Sequence, residues 1–383
     1  MVKDMIYLDN AATTRMYEEC IDDFRHYAVE QYFNPSALYN SSIEVVHSIR
    51  NARETIAKSL HASRDEIIFT ASGSEADNLA IFGCLHKKNK KVIVSAVEHS
   101  AVYNSAVELK NMGYKVIFAP VDRYGRVDTD ALENIIDEDV VLVSIMHVCN
   151  ETGALNDIKK IAEIVREYAD RDAIFHVDGV QSYNKFDINV KALDIDLFSM
   201  SAHKVHGPKG VGALYVRKGV KLKPIIYGGG QEFGIRSATE NVAGIMAFAR
   251  AVEHNMSTPD YGYGDKKAML KAISERFVSE YGDHVIVNTD FEHCAPNILS
   301  VAFDNIRGEV MQHALEKHGI IVGTGSACSS HKATRRIPLA LGVLGAFQDG
   351  MIRISLSNES KMQELDALMD AFRVEYNELK RFG

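Results

Sequence analysis

The sequence predicts an α/β protein: a large unit whose mostly parallel central sheet is covered by helices, followed by a smaller α+β unit. Three observations carry this expectation. Short β-branched runs alternate with amphipathic segments along the first two thirds of the chain, the pattern of parallel strands joined by helical crossovers. The 383 residues suffice for two to three domains and for a core that needs no covalent staples. After about residue 255 the texture changes, and the polar, glycine-containing NMSTPDYGYGD (255–265) reads as a connection.

The strand candidates come in chain order as EIIFT (66–70), KVIVSA (91–96), KVIFA (115–119), VVLVSIM (140–146), AIFHVD (173–178), DIDLFSM (194–200) and VGALYV (211–216). Between them lie helical patterns. Ile43, Val46, Ile49, Ile56 and Leu60 fall at spacings of three, four and seven, behind Ser41-x-x-Glu44, a capping-box signature. Ile158, Ile161, Ile164 and Val165 follow a cap at Asn156 or Asp157. Beyond the connection, strand candidates 284–288, 298–303 and 351–356 mix with helical patterns 265–281, 308–318 and 360–381.

Composition narrows the function classes. Apolar residues at 46% and charged residues at 25% are those of a folded globular protein. A net charge of −9 argues against a protein that coats nucleic acid or anionic lipid. The cysteines at 20, 84, 149, 294 and 328 are scattered, with no C-x-x-C, so neither a disulfide framework nor a zinc cluster is encoded and no metal is expected. The start, MVKDMIYLDNAATT, lacks the apolar region of a signal peptide, and the longest apolar stretch (140–148) is broken by Ser144 and His147. A soluble, cytoplasmic protein in a reducing compartment is expected.

Three motifs lie at the C-terminal ends of strand candidates, where an open α/β sheet places its ligands. In FTASGSEADN (69–78) a strand gives way through Ser72-Gly73-Ser74 to a helix beginning near Glu75, a place where backbone N–H groups can hold a phosphate. Taken alone, small residues before a helix are ordinary capping. In FHVDGVQS (175–182), Asp178 ends an apolar strand and Gln181 follows across a glycine. In SMSAHKVHGPKG (199–210), a strand runs into a turn bearing Ser201, His203, Lys204 and His206. An isolated Asp or Lys at such points is a cap or a surface charge. Together, however, Asp178 and Lys204 end successive strands and can face one crevice. That pair is what pyridoxal phosphate chemistry requires: a lysine for the Schiff base and a carboxylate for the pyridinium nitrogen.

The chain resembles the cysteine desulfurases of the class V aminotransferase family, within the fold-type I pyridoxal phosphate enzymes, over nearly its whole length. The matching stretches include YLDNAATT (7–14), FNPSALY (33–39), SGSEADNLA (72–80), EHSAV (98–102), SIMHVCNETG (144–153), HVDGVQS (176–182), SAHKVHGPKGVGALYVR (201–217), GGGQEFGIRSAT (228–239), GSACSS (325–330) and IRISL (352–356). The resemblance implies a large cofactor-binding domain over 15–255. It also implies a small domain formed by 1–14 and 256–383 that carries a catalytic cysteine loop. It implies that Lys204 holds the cofactor covalently and moves a proton at the substrate Cα, that Asp178 pairs with the pyridine nitrogen and Gln181 with the ring hydroxyl oxygen, and that His99 stacks on the ring and acts as an acid or base. Gly73, Ser74, Ser201, His203 and, from the partner subunit of a homodimer, Thr239 would hold the phosphate. Asn34, Asn150 and Arg353 would receive the substrate carboxylate.

The same resemblance makes Cys328 the residue that selects the reaction. Its thiolate would take the sulfur of L-cysteine as a persulfide and release alanine, with His331, Lys332, Arg335 and Arg336 supplying positive charge nearby. The other four cysteines read as packing residues, with Cys149 set apart because it adjoins Asn150 where relatives usually carry another Asn. Ala202, His206 and Tyr39 also depart from the common pattern, as adjustments of the pocket. The persulfide would pass to an acceptor protein, an iron–sulfur scaffold or a transfer RNA thiolation enzyme, and the basic continuation SSHKATRRIP after Cys328 is more like relatives paired with the latter. No membrane and no direct nucleic-acid binding are expected. The alternatives are a selenocysteine lyase, another lyase or aminotransferase of the same family, and a non-catalytic relative that binds the cofactor.

Overall fold

The computed structural model describes residues 5–85, 90–324 and 336–380, so Cys328, His331, Lys332 and Arg335 lie outside the described residues. The strands among them are β1 (Ile6–Leu8), β2 (Ile67–Thr70), β3 (Lys91–Ser95), β4 (Lys115–Ala119), β5 (Val140–Ser144), β6 (Ile174–Asp178), β7 (Leu197–Ser201), β8 (Gly212–Val216), β9 (Val285–Val287), β10 (Ile298–Phe303), β11 (Ile320–Val322) and β12 (Met351–Ser355). One sheet runs in the order β2-β8-β7-β6-β5-β3-β4. Its pairs from β7 to β4 are parallel, and β8 alone runs antiparallel to both neighbours. All seven runs read from the sequence take part, which is the α/β fold expected.

Both faces of this sheet are covered, which is why its strands read as continuous apolar runs. Side chains alternate between the faces. Ile93, Val143, Phe175, Val177, Phe198 and Met200 pack on one side against helices Asn40–Lys58, Ile158–Tyr168 and Val242–Ser257. Val92, Val94, Leu142 and Leu197 pack on the other against helices Gly73–Gly83 and Ser100–Asn111. The helix Ile158–Tyr168 buries the apolar stripe seen in its sequence, Ile158, Ile161, Ile164 and Val165. Each such side chain contributes about 1.5–3 kcal/mol through burial. Asp157 caps this helix by accepting the Lys160 N–H at 3.0 Å. Asn156 is instead buried, bridging the Val127 N–H and the Met146 carbonyl at 2.7 Å each.

Two local expectations are corrected. The helix Asn40–Lys58 begins before Ser41, and its N-cap, Tyr39, makes no side-chain cap bond, so Ser41 and Glu44 lie inside the first turns. The run at 194–200 becomes strand only from Leu197. Asp194 adopts a φ of +56° and pairs with Arg166 and Arg217, and Asp196 turns its carboxylate to the Phe175 N–H at 2.8 Å.

The remaining strands form an antiparallel sheet in the order β12-β10-β9 and a parallel pair β1-β11. Isolated bridges Asp9↔Ser355 and Gly323↔Arg353 fasten the pair to β12. Leu8 shares a second core with Phe277, Phe303, Ile352, Leu368 and Phe372, under helices Lys266–Tyr281 and Met362–Leu379. No helix among the described residues is long and apolar enough to cross a membrane.

Candidate active site

The ends of β6 and β7 fix the first group of side chains. Asp178, the last residue of β6, is buried and accepts the Val180 N–H at 2.9 Å. Burial raises its pKa, against the pull of His99, the Val180 N–H and Lys204. The turn that follows demands glycine, because a Cβ on Gly179 would stand 1.9 Å from the Phe198 ring. Lys204 sits in the single turn Ala202–Lys204 after β7, and its Nζ donates to the carbonyls of Ala11 at 2.5 Å and Ala12 at 2.8 Å. Gln181 donates to the same Ala11 carbonyl at 2.8 Å, while its Oε1 is buried without a partner.

The N-terminal motif YLDNAATT therefore enters the site as backbone. Thr14 reinforces the attachment: its N–H and hydroxyl both donate to the His203 carbonyl, and its hydroxyl accepts the His206 N–H. The His203 ring meets the Thr13 hydroxyl at 3.1 Å, and its pKa is pushed down to about 4 by burial and by Lys204, Lys209, Lys185 and His99. Across from these groups lies the start of helix Gly73–Gly83, where Ser72 caps by accepting the Glu75 N–H at 3.1 Å. A Cβ on Gly73 would approach Val180 to 2.8 Å and Ser201 to 3.2 Å, so only glycine lets this helix start close on the ends of β6 and β7. Ser74, next along, is exposed.

His99 caps the helix Ser100–Asn111 with its ring. Nδ1 accepts the Ala101 N–H at 3.2 Å, which leaves the proton of the neutral imidazole on Nε2. The ring is open to solvent yet walled by protein on its other sides, and this desolvation lowers its pKa. Asp178 opposes the shift, and Lys204 and Arg336 add to it. The preceding residue, Glu98, is fully buried and accepts the Met146 N–H at 2.7 Å. Arg336 donates to the carbonyls of Ala96 and Glu98, both at 2.6 Å, with its guanidinium 4.0 Å from the centre of the Tyr103 ring.

A second group gathers on β12. The buried Arg353 donates to Asp9 at 2.8 Å and to the Asn150 carbonyl at 2.9 Å, and stands 4.0 Å from Glu151. Its Nε is buried and unpartnered. Asn150 donates its amide to Glu151 at 2.9 Å. Gly323 closes the other side: a Cβ there would lie 2.5 Å from the Asp9 carboxylate and 3.0 Å from the Arg353 guanidinium.

The structure thus ties Gln181, His203 and Lys204 to the segment Ala11–Thr14, sets Asp178 three residues before Gln181 at the end of β6, presses Gly73 against Ser201, and joins Asn150 to Arg353. Asn34 and Thr239 stand apart. Both are exposed, the Asn34 Oδ1 accepts the Ser36 N–H at 2.9 Å, and among the described residues neither shares a hydrogen bond with Asp178, Lys204 or Arg353. Cys149 is buried with a raised pKa, as are Cys20 and Cys84, whose thiols burial pushes to about 12. Sequence reasoning did not single out Asp9, Glu98 or Glu151, although each adjoins a named motif residue.

A family model for class V aminotransferases matches residues 6–368, and the chain belongs to that family, whose members are generally pyridoxal phosphate-dependent. Within it the chain is 38% identical over 373 residues to the cysteine desulfurase IscS of Dictyoglomus turgidum, covering 96% of this chain and 94% of that protein. Among solved structures, a NifS-like protein superposes with a TM-score of 0.90 at 35% identity, covering 97% of this chain and 100% of the other. SspA in complex with cysteine superposes with a TM-score of 0.80 at 31% identity, covering 91% and 98%.

Proposed function

We propose that the chain is a pyridoxal phosphate-dependent cysteine desulfurase that converts L-cysteine to L-alanine and collects the sulfur as a persulfide on Cys328. The observation that supports this most is the meeting of Gln181 and half-buried Lys204 on the Ala11 carbonyl, with the buried acid Asp178 close enough for Lys204 to act on its charge and an arginine on the neighbouring sheet free to offer Nε. The relatives named as cysteine desulfurases, and the related structure that holds cysteine, support the choice of substrate.

The residues present fit the cofactor. A buried acid at a strand end suits a protonated ring nitrogen, the unpartnered Gln181 amide oxygen leaves polar capacity beside it, and the Gly73 helix start suits a phosphate. When bound, pyridoxal phosphate supplies an electron sink for bond breaking at the substrate Cα. Asp178, Gln181, Lys204, His99, Gly73, Ser74, Ser201 and His203 would hold it.

Arg353 and Asn150 bind and orient the substrate carboxylate, with Asn34 completing that site. Lys204 holds and moves the Cα proton. His99, neutral at neutral pH, offers its Nε2–H near the substrate sulfur. The transfer balances without an outside reductant or oxidant: the Cys328 thiolate forms an S–S bond, the substrate C–S bond breaks, and the released carbon gains a proton to become the alanine methyl group.

The division into a cofactor domain (15–255) and a small domain (1–14 and 256–383) belongs to this reading. So does a homodimer in which Thr239 serves the partner's phosphate site. Val29, Tyr32, Leu38, Tyr39, Tyr227 and Phe233 expose large apolar side chains, with the Arg53 guanidinium 5.2 Å from the centre of the Phe233 ring. Such surface favours burial against a second copy. The acceptor is a protein, an iron–sulfur scaffold or a transfer RNA thiolation enzyme, which labelled persulfide transfer into cell extract assigns.

The test is Cys328→Ala. The variant keeps the absorption of bound pyridoxal phosphate and loses alanine and sulfide formation from L-cysteine. Undiminished desulfuration by that variant overturns the mechanism.

A further inference from the structure

Beneath Asp178 lies a polar row that the chemistry above does not use. Ser144 on β5 is the register partner of His176 on β6, and Asp178, two residues on, is the partner of Ser199 on β7. All four alternate with residues of the opposite core, so they share the sheet face covered by helix Gly73–Gly83. Ser144, His176 and Ser199 are wholly buried. His176 Nδ1 meets the Ser144 hydroxyl at 2.8 Å, and Nε2 meets the Ser199 hydroxyl at 2.9 Å. From the helix, Asp77 reaches the Ser199 hydroxyl; its Oδ1 lies 3.7 Å from His176 Nε2 and has no hydrogen-bond partner.

Such a row has two self-consistent directions, because a neutral imidazole has one N–H and one lone pair. Either Asp77 is ionised, accepts from Ser199, and His176 carries its proton on Nε2; or Asp77 is protonated, donates to Ser199, Ser199 donates to Nε2, and His176 donates from Nδ1 to Ser144. The surroundings decide between them. His176 is buried deeply enough to remain neutral, its pKa pushed down to about 3. The other ionisable groups that act on Asp77 are the acids Asp178 and Glu98, so an anion there would meet like charges and no cation.

We propose that Asp77 is a positioning residue that keeps its proton, fixes the row in the direction Asp77 to Ser199 to His176 to Ser144, and so leaves Asp178 the anion of that strand end. The last clause rests on the reading that Asp178 meets the cofactor nitrogen; the direction of the row does not.

Two spectroscopic measurements on the full chain decide it. Nitrogen-15 NMR of labelled histidines shows His176 as the Nδ1–H tautomer, both without and with added pyridoxal phosphate; the Nε2–H tautomer overturns the proposal. An infrared difference spectrum, wild type minus Asp77→Asn, shows the C=O band of an un-ionised carboxyl; a carboxylate band overturns it. For the positioning role, Asp77→Ala loses the single His176 tautomer and weakens pyridoxal phosphate binding about ten-fold, the scale of one lost buried hydrogen bond. Unchanged tautomer and affinity in that variant refute the role. A wild-type chain that binds no pyridoxal phosphate refutes the proposed function, while the tautomer and the carboxyl band still report on Asp77.

Discussion

The two ends of the candidate site, the Lys204 group and the Arg353 group, are held by different means. At the Lys204 end the polar side chains are tied to main chain: Asp178 to the Val180 N–H, and Gln181 and Lys204 to the one Ala11 carbonyl. At the Arg353 end a single guanidinium is shared by two distant stretches of chain, through Asp9 on one and the Asn150 carbonyl and Glu151 on the other. The first end stores a buried acid and an unpartnered amide oxygen, and so is organised for a ligand that brings its own charge and donors. The second is already balanced by carboxylates, so a substrate carboxylate there competes with the protein's own. The difference teaches that cofactor retention should survive changes at Arg353, whereas substrate affinity should be sensitive to them.

Removing the lysine is the most severe way to break this contrast. Lys204→Ala is expected to lose alanine formation by on the order of a thousand-fold or more, since groups that act as a unit fail together. Borohydride should then no longer fix pyridoxal phosphate to the chain, and a reducible adduct at another lysine would show the assignment to be wrong. Arg353→Lys is the next largest. It keeps the charge but loses the planar fork that can serve Asp9 and a substrate at once. Charge-assisted hydrogen bonds contribute roughly 1.5–3 kcal/mol, so KM for L-cysteine should rise about ten- to hundred-fold with little change in kcat or in cofactor absorption. An unchanged KM would mean that the substrate carboxylate binds elsewhere.

The same contrast governs what could be read from sequence. The Lys204 end was legible because its residues close strands: Asp178 ends β6, and Lys204 follows β7 within a turn, so apolar runs alone place them side by side. The Arg353 end was legible only through family resemblance. Asp9, Glu151 and Gly323 meet Arg353 through packing of β1, β11 and β12 against the turn after β5, contacts that no local period encodes. His176 is an intermediate case. Its place two residues before Asp178 puts both on one face by strand alternation, but the partner on the helix, Asp77, is settled by tertiary packing. Local signals also misled, since Ser41-x-x-Glu44 has the spacing of a cap yet lies inside a helix that starts at Asn40.

The mildest prediction concerns Arg336, which belongs to neither end. Its guanidinium holds the carbonyls of Ala96 and Glu98, the two residues that frame the approach to His99, and it lies eight positions after Cys328 in the chain. Burial is the main reason that His99 has a pKa below its ordinary 6.5; Asp178 pulls the other way, and the cations Lys204 and Arg336 push further down. A lowered histidine pKa means that the neutral ring persists as pH falls, and activity that needs that ring is lost only on passing below 6.5. Replacing Arg336 by Gln removes one of the two cations while retaining an amide donor for the carbonyls. The His99 pKa should then move up toward 6.5, so the acid limb of kcat/KM against pH moves the same way. At pH 8, where His99 is neutral in both enzymes, the rates should converge. A limb that stays in place while His99, followed by NMR, titrates at higher pH would show that its protonation does not govern turnover, and would leave the ring a stacking partner alone.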